Sequence, residues 1–146
     1  MTTSPETAVL ALRDVRFRWP GADDDLLRID ALDVPAGESV FLAGPSGSGK
    51  STLLNLVAGV LTPVAGSIAV LGTDLVGLRG AARDALRADH VGFVFQQFNL
   101  LPYLGVVENV LLPLRVSRRR RERVGGALRA EAERLLEALG LDAADS

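Results

Sequence analysis

The sequence predicts an α/β fold in which strands and helices share the first two-thirds of the chain and helices alone form the rest. Apolar and polar residues alternate from Val9 to Trp19, which is the period of a half-buried strand. A glycine-rich segment, Gly44–Gly49, lies between a short apolar run and an amphipathic helix. From Gly105 onward the apolar residues recur at helical spacing instead.

Each predicted element follows from its period and from the turn residues that bound it. Five strands are expected, at Val9–Trp19, Leu26–Val34, Ser39–Ala43, Ser67–Leu71 and Val91–Phe95. Ser39–Ala43 is almost wholly apolar, which is typical of a strand covered on both faces. Helices are expected at Lys50–Val60, Leu78–Ala88 and Val106–Leu112, followed by a long helical segment that ends at Leu139, before Gly140.

The composition excludes several kinds of site. The chain has 146 residues, 16 basic and 18 acidic side chains, no Cys and one His. Disulfides, thiol nucleophiles and cysteine-based or multi-histidine metal centres are therefore excluded. The net charge of −2 gives no indication of a nucleic-acid partner. The sequence shows no signal-peptide pattern and no apolar run near the roughly 18 residues of a membrane span, so we expect a soluble, cytoplasmic chain.

One motif carries specific chemistry. The segment GPSGSGKS, Gly44–Ser51, matches G-x-x-x-x-G-K-[ST] at every fixed position. The N–H groups of such a loop converge on an anion, and a helix that begins near Lys50 adds its positive end. The Lys50 ammonium suits the β- and γ-phosphates of a nucleotide, and the Ser51 hydroxyl suits Mg²⁺. The predicted nucleotide-binding residues here are Gly44, Pro45, Ser46, Gly47, Ser48, Gly49, Lys50, Ser51 and Thr52.

The alternative interpretation is an ordinary glycine-rich turn between a strand and a helix. Lys50 argues against it, because every other basic residue of the chain is Arg. A compact ammonium fits inside a closed ring of backbone where a broad guanidinium fork does not. We therefore expect binding of a nucleoside triphosphate.

Longer stretches resemble the ATP-binding subunits of ABC transporters. These are GPSGSGKSTLLNLVAGVLTPVAGSIAVLGTDL, which begins at Gly44, and FVFQQFNLLPYLGVVENV, which begins at Phe93. The chain most resembles the lipoprotein-release and macrolide-export branch. The resemblance implies a P-loop NTPase core with an antiparallel β subdomain and the start of a helical subdomain, the C-terminal part being missing. It places a nucleotide-binding core in residues 1–95 and the Q-loop with a partial helical subdomain in residues 96–146.

The resemblance also assigns two residues outside the glycine-rich loop. Gln96 takes the place of the Q-loop glutamine, which contacts Mg²⁺ and the attacking water, so Ser51 and Gln96 are the expected metal ligands. Trp19 takes the place of the aromatic residue that stacks on adenine, with Phe17 as the competing candidate on the same strand. The expected cofactors are ATP and Mg²⁺.

Other conspicuous residues receive plainer interpretations. His90 precedes the Q-loop, unlike the switch histidine of the family, and is interpreted as a structural residue at a strand start. Arg118–Arg121 and Arg123 lie in a helical stretch without interleaved aromatic residues, which favours a solvated helix face over a nucleic-acid site. Gly125-Gly126 lacks the flanking residues of the family signature.

No apolar run ending in Asp-Glu follows Gln96, so the motif that supplies the family's general base is absent from these residues. We expect a truncated chain or fragment that has no catalytic residue of its own and binds ATP without hydrolysing it alone. A non-hydrolysing nucleotide-binding or regulatory module stays open as the alternative. A GTPase is disfavoured because its guanine-recognition motif, N/T-K-x-D, requires a second Lys, and Lys50 is the only Lys. A P-loop kinase is disfavoured because the segment that begins at Phe93 resembles a Q-loop region.

The resemblance implies two protein partners. One is a transmembrane permease of the FtsX-like type, which would dock on residues Gln96–Leu114, and the other is a second ATP-binding subunit. We expect the chain to lie at the inner face of the cytoplasmic membrane when it is bound to its permease.

Overall fold

The computed structural model describes residues 8–95, 97 and 99–141. The chain forms two compact units, an N-terminal unit that runs to Arg83 and a C-terminal unit that begins at Asp84. The division falls inside the helix Gly80–His90. The domain boundary expected between residues 95 and 96 stays a prediction.

A four-stranded antiparallel sheet forms most of the N-terminal unit. Its strands are β1 (Ala8–Phe17), β2 (Leu27–Pro35), β3 (Ala65–Val70) and β4 (Thr73–Asp74). Their order in the sheet is β2-β1-β3-β4. Three predicted strands are confirmed with shifted ends, and the two-residue β4 was not predicted. Because β1 ends at Phe17, Trp19 lies beyond the strand rather than at its last position.

A β-bulge in β1 determines which of its side chains reach the core. Arg13 pairs with Ser67 but Arg16 pairs with Ala65, so β1 contains one extra residue, and Asp14 has a φ of 50°. Without it, the alternation that buries Leu12 would expose Val15 and Phe17, whereas all three are buried. Gly66, at φ 87°, makes the bulge possible, because a Cβ there would lie 2.4 Å from the Asp14 carbonyl oxygen.

Helix α1 (Lys50–Val57) contributes to the apolar core of the N-terminal unit. Its Leu56 is fully buried, as are Leu12 and Ile68, which pair across β1 and β3. Burying a side chain of this size contributes roughly 1.5–3 kcal/mol relative to leaving it exposed. The burial of Leu56 therefore anchors α1 in the core, and with it Lys50 at the first position of the helix.

Two predicted strands are wrong. Residues 39–43 and 91–95 form no strand, and the side chains of Phe41 and Val94 are 91% and 96% exposed. An apolar run becomes a buried strand only where neighbouring strands satisfy its backbone N–H and C=O groups. Within the described ranges, neither segment pairs with a strand of the sheet.

The C-terminal unit is helical and contains α3 (Val106–Val116), α4 (Arg118–Val124) and α5 (Leu128–Ala138), with most of α2 (Gly80–His90) before them. Its core consists of Val107, Ala132 and Leu136. The mixed α/β class with an antiparallel sheet is confirmed. In the parts of the chain that the structure describes, no helix combines the length and the apolar character needed to cross a membrane.

The predicted helix Val106–Leu112 is confirmed as α3 and extends to Val116, whereas the predicted long helical segment after it is divided into α4 and α5. Ser117 interrupts it first: its buried hydroxyl caps α4 by accepting from Arg120 N at 3.0 Å and donates to Asp89 Oδ1 at 2.5 Å. Gly125, at φ 78°, ends α4, and α5 begins at Leu128. His90 is the last residue of α2 rather than a strand start, and Arg119 Nη1 lies 3.4 Å from its Nε2.

Candidate nucleotide-binding site

The glycine-rich loop, residues 44–49, leads directly into α1 and lies against the first residues of β2. Gly49 has a φ of 89°, and a Cβ there would lie 2.6 Å from Leu27 Cδ2. A larger residue would therefore be strained both in its backbone and against β2. The motif predicted that Gly49 belongs to the nucleotide site. The sequence also predicted that Leu27 lies in a strand, but nothing in it indicated that Leu27 contacts Gly49.

The N-terminus of α1 presents free backbone donors. The first intrahelical bond of the helix runs from Leu53 N to Gly49 O at 2.8 Å, and no side chain caps this end. Among the hydrogen bonds of the described residues, none uses the N–H groups of Lys50, Ser51 or Thr52. Three donors and the positive end of the helix dipole therefore remain available to an anion.

The Lys50 ammonium lies within the loop. Its Nζ donates to Gly44 O at 2.8 Å and to Pro45 O at 2.7 Å, and lies 3.4 Å from Ser48 Oγ. Three acceptors match the three protons of an ammonium group. A phosphate oxygen would have to replace at least one of these acceptors, which requires only rotation of a flexible side chain.

Two adjoining cavities, of about 440 Å³ and 300 Å³, lie along this loop. Trp19 and Leu26 line the larger one together with residues of the loop and of the first turn of α1, namely Ser46, Gly47, Gly49, Lys50, Ser51 and Thr52. Gly44, Pro45 and Ser48 line the smaller one. The structure therefore brings Trp19 and the nine predicted loop residues to one region of the N-terminal unit.

Trp19 and Phe17 have different environments. Trp19 is 48% exposed, whereas Phe17 is 4% exposed and belongs to the core. Their rings meet edge to face, with centroids 5.1 Å apart and an interplanar angle of 84°. Only Trp19 therefore presents a free ring surface to the larger loop cavity.

The residues at the start of α1 fit a magnesium nucleotide. Mg²⁺ in nucleotide sites is held by one or two protein oxygens together with phosphates and water, so a single hydroxyl such as that of Ser51 is a suitable protein ligand. The described residues contain no group of three or more His, Asp or Glu that could hold a metal on their own. Gln96, the other predicted ligand, lies outside the described residues.

Comparison with known proteins assigns the chain to a family. The family model described as ABC transporter matches residues 27–146. The chain belongs to the ABC transporter family. The match includes the glycine-rich loop, α1 and all of the C-terminal unit, and it confirms the resemblance drawn from the sequence.

Individual relatives agree with this assignment. The ABC transporter chain is 44% identical over 139 residues to the lipoprotein-releasing system ATP-binding protein LolD of Novosphingobium aromaticivorans, a match covering 91% of the chain and 58% of LolD. It is 37% identical over 139 residues to the macrolide export ATP-binding/permease protein MacB of Escherichia coli strain K12, covering 93% of the chain and 21% of MacB. The chain thus spans little more than half of LolD and about a fifth of MacB.

Solved structures confirm the predicted fold. The dimeric post-hydrolysis structure of the ATP-binding cassette MJ0796, bound to ADP and Pi, is 34% identical and superposes with a TM-score of 0.75. That match covers 88% of this ABC transporter chain and 56% of the MJ0796 chain. A second dimeric structure of MJ0796 gives a TM-score of 0.66 at 37% identity, over 72% of this chain and 46% of that one.

Proposed function

We propose that this chain is an ATP-binding subunit of an ABC exporter and that its nucleotide-binding core, residues 1–95, binds Mg·ATP together with Gln96. In this proposal Gly44–Thr52 surround the phosphates, Lys50 contacts the β- and γ-phosphates, Ser51 and Gln96 ligate Mg²⁺, and Trp19 stacks on adenine. A single observation carries it: the Lys50 ammonium, three free N–H groups of α1 and an exposed tryptophan border one cavity.

The charges of this cavity favour a triphosphate. The described residues that line it include one ammonium and no carboxylate. A charge-assisted contact contributes about 1.5–3 kcal/mol, so loss of Lys50 should weaken ATP binding about ten- to a hundredfold.

Titration with a fluorescent ATP analogue tests the proposal. Lys50→Ala should bind about ten- to a hundredfold more weakly than the unaltered chain. Arg79→Ala is the matched control, because it removes an exposed positive charge from the same unit at a residue outside both loop cavities. Equal affinity of Lys50→Ala and the unaltered chain would refute the assignment.

We further propose that residues 96–146 couple the nucleotide site to a transmembrane permease of the FtsX-like type. This would hold the subunit at the inner face of the cytoplasmic membrane, beside a second ATP-binding subunit. The names of the relatives support the coupling, since MacB is described as an ATP-binding/permease protein. The loop before α3 supports it as well: Tyr103 is 77% exposed and Leu100 is also exposed.

Asn109 holds this loop in shape. Its side chain accepts from Leu101 N at 2.8 Å and donates to the carbonyl oxygens of Leu101, Leu104 and Gly105 at 3.2, 3.0 and 3.1 Å. The apolar side chains therefore project from a loop that is fixed to α3, which suits a docking surface.

Cysteine crosslinking tests the docking surface. The chain contains no native Cys, so Tyr103→Cys supplies a unique thiol. With a co-expressed permease it should form a crosslink. Arg129→Cys, on α5, is the comparison position and should not. Absence of a crosslink from every position of residues 99–104 would defeat the docking proposal.

A further inference from the structure

We propose that Phe17 is a positioning residue that holds the Trp19 indole in the orientation needed to receive a nucleobase. The inference rests on the proposed function, in which Trp19 stacks on adenine. It gives Phe17, a side chain that does not itself reach the nucleotide, a part in selecting a nucleotide over an inorganic polyphosphate.

The backbone around Trp19 is fixed on both sides. Leu26 N donates to Phe17 O at 2.8 Å and closes the segment between β1 and β2 at its base. Ala22 N donates to Trp19 O at 3.0 Å, which makes Trp19 the first residue of a tight turn. The remaining freedom of Trp19 is therefore rotation of its side chain.

Two cavities compete for that side chain. Trp19 lines the 440 Å³ cavity beside Lys50, and it also lines a separate cavity of about 660 Å³ formed by residues 17–23 with Leu61, Thr62 and Val64. An indole that rotates freely at χ1 and χ2 would sample both spaces. Only orientations that leave a ring face towards the loop cavity are useful for stacking on a base.

Phe17 restricts this choice. Its ring is buried at the end of β1 and meets the indole edge to face, at 5.1 Å and 84°. Such pairs contribute beyond the area that they bury, and the partner that is locked into the core orients the one that is exposed. The bulge at Asp14 is what turns Phe17 into the core, so the effect originates in the backbone of β1.

Removal of the Phe17 ring should affect binding of the base and spare binding of the phosphates. An aromatic pair contributes about 0.5–1.5 kcal/mol, which corresponds to a two- to tenfold change in affinity. We therefore expect Phe17→Leu to weaken ATP binding about two- to tenfold and to leave binding of inorganic triphosphate within twofold. Phe17→Met fills the same space without a ring and should behave in the same way.

The experiment is a double-mutant cycle on the full chain, with calorimetric titration of Mg·ATP and of inorganic triphosphate. If Phe17 acts through Trp19, Phe17→Leu should have no further effect on ATP binding in a Trp19→Ala background. Leu12→Ala is the control. Leu12 is a buried residue of the same strand, β1, and it pairs with Ile68 of β3 instead of contacting Trp19. It should leave the preference for ATP over triphosphate unchanged.

A second measurement needs no variant. Trp19 is the only Trp, so the time-resolved anisotropy of its fluorescence reports the motion of this indole alone. The unaltered chain without nucleotide should lack a dominant sub-nanosecond component. A dominant fast component would overturn the proposal even if Phe17→Leu does not fold.

The outcomes distinguish a failure of the role of Phe17 from a failure of the proposed stacking of adenine on Trp19. If Trp19→Ala leaves ATP affinity unchanged, base stacking on Trp19 and the role of Phe17 fall together. If Trp19→Ala weakens ATP binding while Phe17→Leu and Phe17→Met do not, only the role of Phe17 is overturned. Equal losses for ATP and triphosphate in Phe17→Leu would mean a general structural effect, which also overturns it.

Discussion

Trp19 offers a direct optical measurement of what enters the site. Its indole is half exposed and lines the cavity that also contains Lys50. A base stacked on the ring should change the intrinsic fluorescence on addition of ATP, because stacking replaces water on one ring face. Inorganic triphosphate lacks a base and should produce little change.

The control for this prediction is a Trp19→Phe variant, which keeps an aromatic ring and removes the signal. It should still prefer ATP to triphosphate in a competition titration. An identical fluorescence response of the unaltered chain to both ligands would contradict stacking on Trp19. Phe17 could not take over that role without leaving the core, since it is 4% exposed.

At the residue scale, a phosphate site could be predicted from the sequence, whereas the contacts around it could not. The spacing of Gly44, Gly49, Lys50 and Ser51 is the spacing by which a P-loop encloses phosphates, so the prediction needed no coordinates. The positions of Leu26 and Leu27 beside the loop depend on how the start of β2 lies against Gly49. No local pattern encodes that packing, and it therefore emerged only from the fold.

The loop that precedes α3 depends on a single side chain. Asn109→Ala should release residues 101–105, because Leu101 N and Leu104 O lose their partner, whereas Leu101 O and Gly105 O keep only the backbone donors Leu104 N and Asn109 N. Leaving partly buried backbone groups unpaired costs about 1–3 kcal/mol. Hydrogen exchange at the Leu101 amide should become faster, and the crosslink from Tyr103→Cys should weaken.

Asn109→Asp separates the acceptor from the donors of that side chain. A carboxylate still accepts from Leu101 N but donates to none of the three carbonyl oxygens. The Leu101 amide should then stay protected while the loop as a whole loosens. Unchanged exchange at Leu101 in Asn109→Ala would show that the loop does not need this side chain.

The exposed face of α5 carries an ion pair that responds to pH. Glu131 accepts two hydrogen bonds from Arg134, at 2.6 and 2.8 Å, and these bonds hold the pKa of Glu131 below its usual value. A carboxyl whose pKa is lowered by folding stabilises the helix above its unfolded pKa, and this contribution disappears as the pH falls through the lowered value.

Arg134→Gln should return the pKa of Glu131 towards its ordinary value, because the guanidinium supplies both the hydrogen bonds and the charge. A titration of the Glu131 carboxyl followed by NMR measures this shift. Arg129→Gln, which removes the neighbouring pairs with Glu108 and Glu133, is the matched control. A pKa of Glu131 that is the same with and without Arg134 would contradict the pairing.

At the element scale, prediction failed where strands need distant partners. β1 and β2 are adjacent antiparallel strands, and alternation was enough to find them. Residues 39–43 and 91–95 have the apolar composition of buried strands, yet within the described ranges no strand pairs with them. The breaks at Ser117 and Gly125 were not predicted, because the Arg, Glu, Ala and Leu residues that dominate this segment favour helix. The breaks depend on single residues instead: the Ser117 hydroxyl caps the start of α4, and Gly125, with its positive φ, ends it.

At the scale of the whole molecule, the question is whether the residues proposed to hold ATP can also activate water. Hydrolysis requires a water oriented in line with the γ-phosphate and a group that accepts its proton. Among the described residues, those that line the two loop cavities include no carboxylate and no His. Lys50, Ser51 and the helix amides can stabilise charge on the phosphates, which is only part of the requirement.

We therefore predict that this 146-residue chain binds ATP without turning it over. Loss of a general base lowers a rate by about 10²–10⁴-fold, which leaves turnover near the background. Purified chain, freed of contaminating ATPases, should release phosphate no faster than its Lys50→Ala variant, which serves as the control for contamination. A rate of about 1 s⁻¹ that disappears in Lys50→Ala would show that residues of this chain supply the base after all, because such a rate is within the ordinary range of enzymes.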